Sequence, residues 1–222
     1  MAFSKDTVLN IYYMKHILFA ALSTIFLLSF KTDTTPFVGK ILYKYSFEDL
    51  KGNNITDKMT PYFGREQHYF IGRESYKAFD ESSNWVQLYN SKTNTYYYFN
   101  KDKSVQKIDG LTKTSQKVVV TKLDKQESIA GYDCKSVRID ADNTSTIHYY
   151  CPSIKTTSSI FAKHNFGNWN TYLEATNGAL SLKFVLTDRK NGYIMTAVAK
   201  EITKMGLNEN DFKLPDDVSL RK

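Results

Sequence analysis

The stretch Gly131–Pro152, GYDCKSVRIDADNTSTIHYYCP, contains both cysteines of the chain and reads as a β-hairpin. Asp142 and Asn143 are residue types that tolerate positive φ, so they suit the two loop positions of a type I′ turn. Ala141 then pairs with Thr144, and counting outward sets Cys134 opposite Cys151. That rung falls on a non-hydrogen-bonded pair, where Cα atoms approach to roughly 4.5 Å. This separation lies within the range a disulfide spans, so a Cys134–Cys151 bond is expected. A structural bridge implies an oxidising compartment; the pair lacks the C-x-x-C spacing of a redox or metal motif.

Upstream of the hairpin lie closely spaced strand-like segments. Phe37–Glu48, FVGKILYKYSFE, alternates Ile41, Tyr43, Tyr45 and Phe47 with Lys40, Leu42, Lys44 and Ser46, as a half-buried strand does. Residues 49–61 are polar and predict a loop or short covering turn. Segments 65–71, 74–80, 85–90, 95–100, 104–108 and 117–123 are rich in Tyr, Phe, Val and Trp and are divided by turn residues, which predicts an antiparallel meander. The run Tyr96–Phe99 could form an aromatic ligand platform, but Tyr suits both faces of a strand and ordinary sheet packing is the simpler explanation. Downstream, residues 153–169 have no clean period and predict an irregular excursion that could include one short helix.

The pattern returns in ALSLKFVLTD and YIMTAVAKEIT, which flank Asn191-Gly192. With those two as the loop, Leu186 faces Ala197, Phe184 faces Ala199 and Asp188 faces Met195. Leu180, Leu182, Phe184 and Leu186 then share one face with Met195, Ala197 and Ala199. Two alanines beside large residues leave shallow room, so these seven residues are the candidate floor of an apolar ligand groove. The alternative is that Phe161 and Phe166 fill that room as core. At the C-terminus Phe212 and Leu214 are expected to tuck against the sheet, with Pro215 ending the segment.

The chain has 222 residues and is 41% hydrophobic, enough for a real core in one mainly β domain. Its formal charge of +7 is spread among acids along the sequence. That describes a solvated surface rather than a basic patch, and no nucleic-acid module is recognisable. From Met14, a positive start and an apolar run from Ile17 to Phe30 have signal-peptide architecture, the run being shorter than the ~20 residues of a membrane span. Residues 14–31 are therefore expected to direct export, with the mature N-terminus between Ser29 and Phe37. Residues 1–13 precede that better start and suggest an over-extended reading frame. The domain proper is residues 32–222. No cysteine follows the apolar run to carry a lipid, so a soluble product of the periplasm or outer envelope is expected.

No catalytic motif is present. His16, His68, His148 and His164 are scattered without ligand spacing, and His148, in a strand among aromatic residues, is expected to be structural. There is no G-x-S-x-G elbow and no glycine-rich phosphate loop. The reading is of a protein that is not an enzyme and uses no cofactor or metal.

GKILYKY near the start of the domain, IAGYDCKSVRI from Ile129, HYYCPSI from His148 and NDFKLPDDV from Asn210 resemble the exported GLPGLI-related proteins of Gram-negative bacteria. Behind them stand the periplasmic lipoprotein carriers. Where the GLPGLI segment itself would fall, this chain has YLEATNGALSLKF. The resemblance implies a curved antiparallel sheet, or incomplete barrel, with short covering helices over its concave face. In the carriers that face receives acyl chains, so a lipid, an acyl chain or a lipoprotein is the implied ligand. The alternative is a structural or interaction protein of the envelope, with a solid core and a protein partner.

Overall fold

The computed structural model describes residues 35–102, 104–215 and 218–221. The readings placed on residues 1–13 and 14–31 lie outside the described residues. From Thr35 onward the chain forms one compact unit, and a single sheet runs through it.

β1 (Gly39–Asp49) carries the alternation expected of it: Ile41, Tyr43, Tyr45 and Phe47 are buried while the intervening residues are partly or fully exposed. A meander follows, of β2 (Glu66–Ile71), β3 (Ser75–Asp80), β4 (Trp85–Asn90), β5 (Thr95–Phe99) and β6 (Ser104–Asp109). β7 (Val118–Ile129), β8 (Tyr132–Ala141) and β9 (Thr144–Lys155) form a second meander, and β10 (Ala179–Asp188) with β11 (Tyr193–Lys204) closes the sequence of long strands. The spatial order is β6-β5-β4-β3-β2-β1-β11-β10-β9-β8-β7, antiparallel throughout. β1 is thus the seam between the halves, paired with β2 on one side and β11 on the other. β7 pairs with β8 alone, so the sheet is open, yet β7 returns to contact β11 with three strands between them. That contact requires strong curvature.

The hairpin of β8 and β9 has the expected register, Ala141 opposite Thr144 and onward to Lys135 opposite Tyr150. Asp142 is left-handed at φ 46°, which its short polar side chain tolerates. Its carboxylate accepts from the backbone N–H groups of Gln116 and Lys117 at 2.9 and 3.1 Å, tying the segment that precedes β7 to this turn.

The register of β10 and β11 differs from the expectation by two residues: Leu186 faces Met195, Phe184 faces Ala197 and Asp188 faces Tyr193. The cause is Asp188, whose carboxylate accepts from the backbone and side-chain nitrogens of Asn191 at 2.9 and 2.7 Å. This cap makes a four-residue turn in which only Gly192, at φ 77°, is left-handed. A shift of two preserves the faces, so the expected set of side chains still points inward.

Three other elements differ from the sequence reading. Residues expected to be a loop or short covering turn form α1 (Thr56–Phe63) despite Pro61; the N–H that Pro61 lacks would have reached Asp57 in the first turn. The Thr56 hydroxyl holds this helix to β1 by accepting from Phe47 N at 3.0 Å. β7 runs six residues beyond its expected end, past a bulge between Leu123 and Glu127. Pro215 does not end the chain's part in the sheet: β12 (Ser219–Arg221) adds to β6 in parallel.

Residues 156–178 arch over the concave face as two 3-10 turns, Ser158–Phe161 and Phe166–Asn168, then α2 (Trp169–Ala175). Thr156 N donates to Gly178 O at 2.9 Å, closing the base of the arch. Gly178 lies at φ 81°, and a Cβ there would stand 2.3 Å from Thr156 O, so no other residue fits this closure. The arch buries Phe161, His164, Tyr172 and Leu173 against the sheet, each large apolar side chain contributing about 1.5–3 kcal/mol.

Candidate ligand-binding cavity

Under the arch the sheet leaves a cavity of about 690 Å³. Its floor begins at the seam, where Tyr45, Ala197 and Phe184 lie side by side across β1, β11 and β10, and Tyr43 sits beside Ala199. Large residues flanking small ones close the expected room: Tyr43 and Phe184 approach to 6.4 Å between ring centroids, and Ala197 and Ala199 are sealed beneath such rings at 0% and 2% exposure. Of the seven candidate floor residues, Leu180, Phe184 and Leu186 line the cavity. Leu182, Met195, Ala197 and Ala199 are buried core and do not.

The strict alternation expected of β10 fails at its start for a local reason. Against β9, the register shifts between Ala179 and Ser181 and again between Ser181 and Lys183. These bulges turn Ser181 toward the cavity along with Leu180, and leave Leu182 in the core. Tyr43 Oη donates to Ser181 O, and Ser181 Oγ lies 3.2 Å from His148 Nδ1. His148 packs 4.3 Å from Tyr172, its burial pushing the imidazole down to about 3. It is a neutral wall residue at physiological pH.

The rest of the wall is assembled from separate strands, and of it sequence reasoning had raised Tyr96 alone, within the run Tyr96–Phe99. Tyr69 of β2 and Tyr76 of β3 stand 5.4 Å apart beside Tyr43, and Tyr96 of β5 continues the line, packed 4.7 Å from Phe166 of the arch. Tyr96 therefore belongs to the cavity wall, while Tyr97 and Phe99, of the other parity, pack on the opposite face. The detectable signal was period-two aromatic content in consecutive strands; their alignment across the sheet was not visible. Trp169 and Tyr172 roof the cavity, 5.5 Å apart. Burial raises the phenols of Tyr43, Tyr69, Tyr76, Tyr96 and Tyr172 far above their usual range, so the wall is uncharged. Tyr69 Oη and Trp169 Nε1 are buried without a partner among the protein's own groups.

Charge is confined to one end, where Asp142, Asp188 and Lys190 stand. The exposed residues of the lining are Thr114, Asp142, Asn143, Gly167, Lys190 and Asn191. All belong to the hairpin turns, the segment before β7 or the 3-10 turn beside it. Backbone bonds gather these parts: Arg189 N donates to Asn143 O at 3.0 Å and Asn165 N to Gly110 O at 2.7 Å. The mouth of the cavity is therefore where the β8–β9 and β10–β11 turns meet.

Cys134 and Cys151 are both buried, one step beyond the last pair of the hairpin ladder. The expected bond is not made, and both are free thiols. Each has a local partner instead: Cys134 Sγ lies 3.4 Å from Tyr132 O and Cys151 Sγ 3.0 Å from Ser153 Oγ. Burial, and then the neighbouring Cys151, push the Cys134 thiol up to about 11. Among the described residues no three His, Cys, Asp or Glu side chains converge as metal ligands would, and no helix is long and apolar enough to cross a membrane.

An open, curved antiparallel sheet with an aromatic cavity on its concave face is thus the class of molecule. By family the chain belongs to the domain of unknown function DUF4412, matched over residues 73–218. The match shows that family and not the GLPGLI kinship the sequence suggested. No curated protein matches. Among solved structures, PNGF-II in its C2 crystal form is similar at 13% identity and a TM-score of 0.47, over 82% of this chain and 30% of that one. An uncharacterised conserved protein from Thermus thermophilus is similar at 7% identity and 0.43, over 81% and 89%. A LolA superfamily protein from Nitrosomonas europaea is similar at 10% identity and 0.35, over 80% and 90%. At these scores none of the likenesses bears on function, which must be read from the cavity's own residues.

Proposed function

We propose that the protein is a non-enzymatic binding or carrier module, exported to the periplasm or outer envelope, that holds an apolar or lipidated ligand on the concave face of its sheet. The observation that carries this reading is the cavity of about 690 Å³, within the range of small-molecule sites and walled mainly by aromatic rings. A solid-core interaction protein would have no use for such a space.

The test is binding of the neutral fluorophore N-phenyl-1-naphthylamine to the purified domain and to Thr146→Trp. Thr146 lines the cavity and is only partly buried, so the larger side chain enters free space. The expected result is saturable enhancement of fluorescence by the wild type and at least a tenfold loss of affinity in the variant, with unchanged thermal stability. No binding by the wild type overturns the reading.

A further inference from the structure

We propose that the cavity takes a single-headed amphiphile, tail inward, with its one polar head held at the gate formed by the Asp142–Asn143 and Arg189–Gly192 turns. This deepens the carrier reading and rests on it. The cavity is polarised along its length. From Asp188 at the gate the wall runs inward along β10 past Leu186 and Phe184 to Ser181 and Leu180, seven residues from Asp188 to Ser181, or roughly 23 Å at the rise of a strand. Around the inner part the ionisable side chains are tyrosines and His148, all neutral at ordinary pH for the reasons given above. Asp142, Asp188 and Lys190 are the charged members of the lining, and all three stand at the turn end.

An ionised group carried into the inner part would lose its hydration and meet no countercharge, a cost of several kcal/mol even after relaxation. A hydrocarbon tail meets mainly rings and aliphatic side chains there, interrupted by neutral polar groups such as Ser181, Gln67 and Gln87. At the gate the same head finds water, the Lys190 ammonium and the Asn143 side chain. The Asp142 and Asp188 carboxylates there are already engaged by the N–H donors of Gln116, Lys117 and Asn191. A molecule charged at both ends cannot satisfy both regions, so the cavity discriminates by the number of charged ends rather than by chain length.

The test uses displacement of N-phenyl-1-naphthylamine at pH 8 and low ionic strength by three ligands of equal chain length: monododecanoylglycerol, dodecanoate and dodecanedioate. The expected order has the first two displacing the fluorophore, with dodecanedioate at least tenfold weaker than dodecanoate. Lys190→Glu places the head: it is expected to weaken dodecanoate severalfold and leave monododecanoylglycerol unchanged. Equal displacement by dodecanoate and dodecanedioate would show that the inner wall tolerates charge, overturning the proposal while the carrier reading stands. An equal effect of Lys190→Glu on both single-headed ligands, or none on either, would overturn the placement of the head. Failure of the fluorophore to bind removes the carrier reading and this proposal together.

Discussion

The two faces of the sheet are built from similar residues and end differently. On the convex face Leu88, Phe99, Val105 and Phe212 form a small sealed cluster, flanked by Phe70, Trp85, Leu207 and Leu214. Its cover is the C-terminal segment, which lies flat on the strands. On the concave face a far larger set of rings gathers under residues 156–178, which leave the sheet after β9 and rejoin it at β10. A cover laid flat excludes space, whereas an arch closed at its base leaves it. Composition alone does not distinguish the faces, since β5 sends Tyr96 to one and Phe99 to the other. What distinguishes them is the path of the covering chain.

The strongest way to break this difference is to remove the arch's central anchor. Phe161 is fully buried and packs 5.9 Å from Tyr89 and 6.5 Å from Tyr76. Phe161→Ala is expected to cost about 3–5 kcal/mol, lost transfer energy plus a void, read as a lower denaturant midpoint at unchanged slope. A loss below about 1 kcal/mol would mean that the arch is held by its base and not by its contact with the sheet.

Acid should loosen the same contact. His164 is 1% exposed, stacks 3.9 Å from Tyr89 and shares a 2.6 Å hydrogen bond with Tyr76 Oη. Burial pushes it down to about 3, while in the unfolded chain it titrates near 6.5. Between those values the unfolded state binds the extra proton, so this contribution is complete above about pH 6.5 and is lost as pH falls toward 3. From pH 7 to pH 4 the loss from His164 is on the order of 3 kcal/mol, with His148 adding to it in the same direction. His164→Phe should flatten the fall in melting temperature over that window. An unchanged pH slope in the variant would assign the acid sensitivity to other groups.

Much of this architecture was legible in the sequence, and the misses have identifiable causes. Period-two alternation located the long strands, and the Asp142-Asn143 turn gave the register of β8 and β9, because a two-residue loop leaves no freedom. The β10–β11 register slipped by two because the Asp188 carboxylate, not the Asn-Gly dipeptide, defines that turn. The inward face of β10 was read correctly at Phe184 and Leu186, nearest the turn, and lost at Leu182, where bulges broke the alternation. The alanine positions suggested a groove, but the rings of their neighbours cover them. The actual cavity needed Tyr69, Tyr76 and Tyr96 from three strands, a juxtaposition set by strand order and curvature rather than by any local pattern.

The smallest expected effect tests whether the faces are independent. On the convex side the Lys77 ammonium lies 5.6, 5.3, 5.6 and 5.6 Å from the ring centroids of Phe70, Phe79, Trp85 and Phe212, and donates to Asp211 O at 2.5 Å. It joins the covering segment to the sheet by one hydrogen bond and several cation–π contacts. Desolvation lowers its pKa, so part of that attraction offsets the cost of burying the charge. Lys77→Met keeps the apolar stem and removes the charge together with that cost, for a net loss of about 1 kcal/mol. Hydrogen exchange should quicken at Asp211 and Phe212, with cavity binding of N-phenyl-1-naphthylamine unchanged. A change in that binding would mean that the convex cover and the concave cavity are coupled through the strands they share, and that the flat cover does more than exclude space.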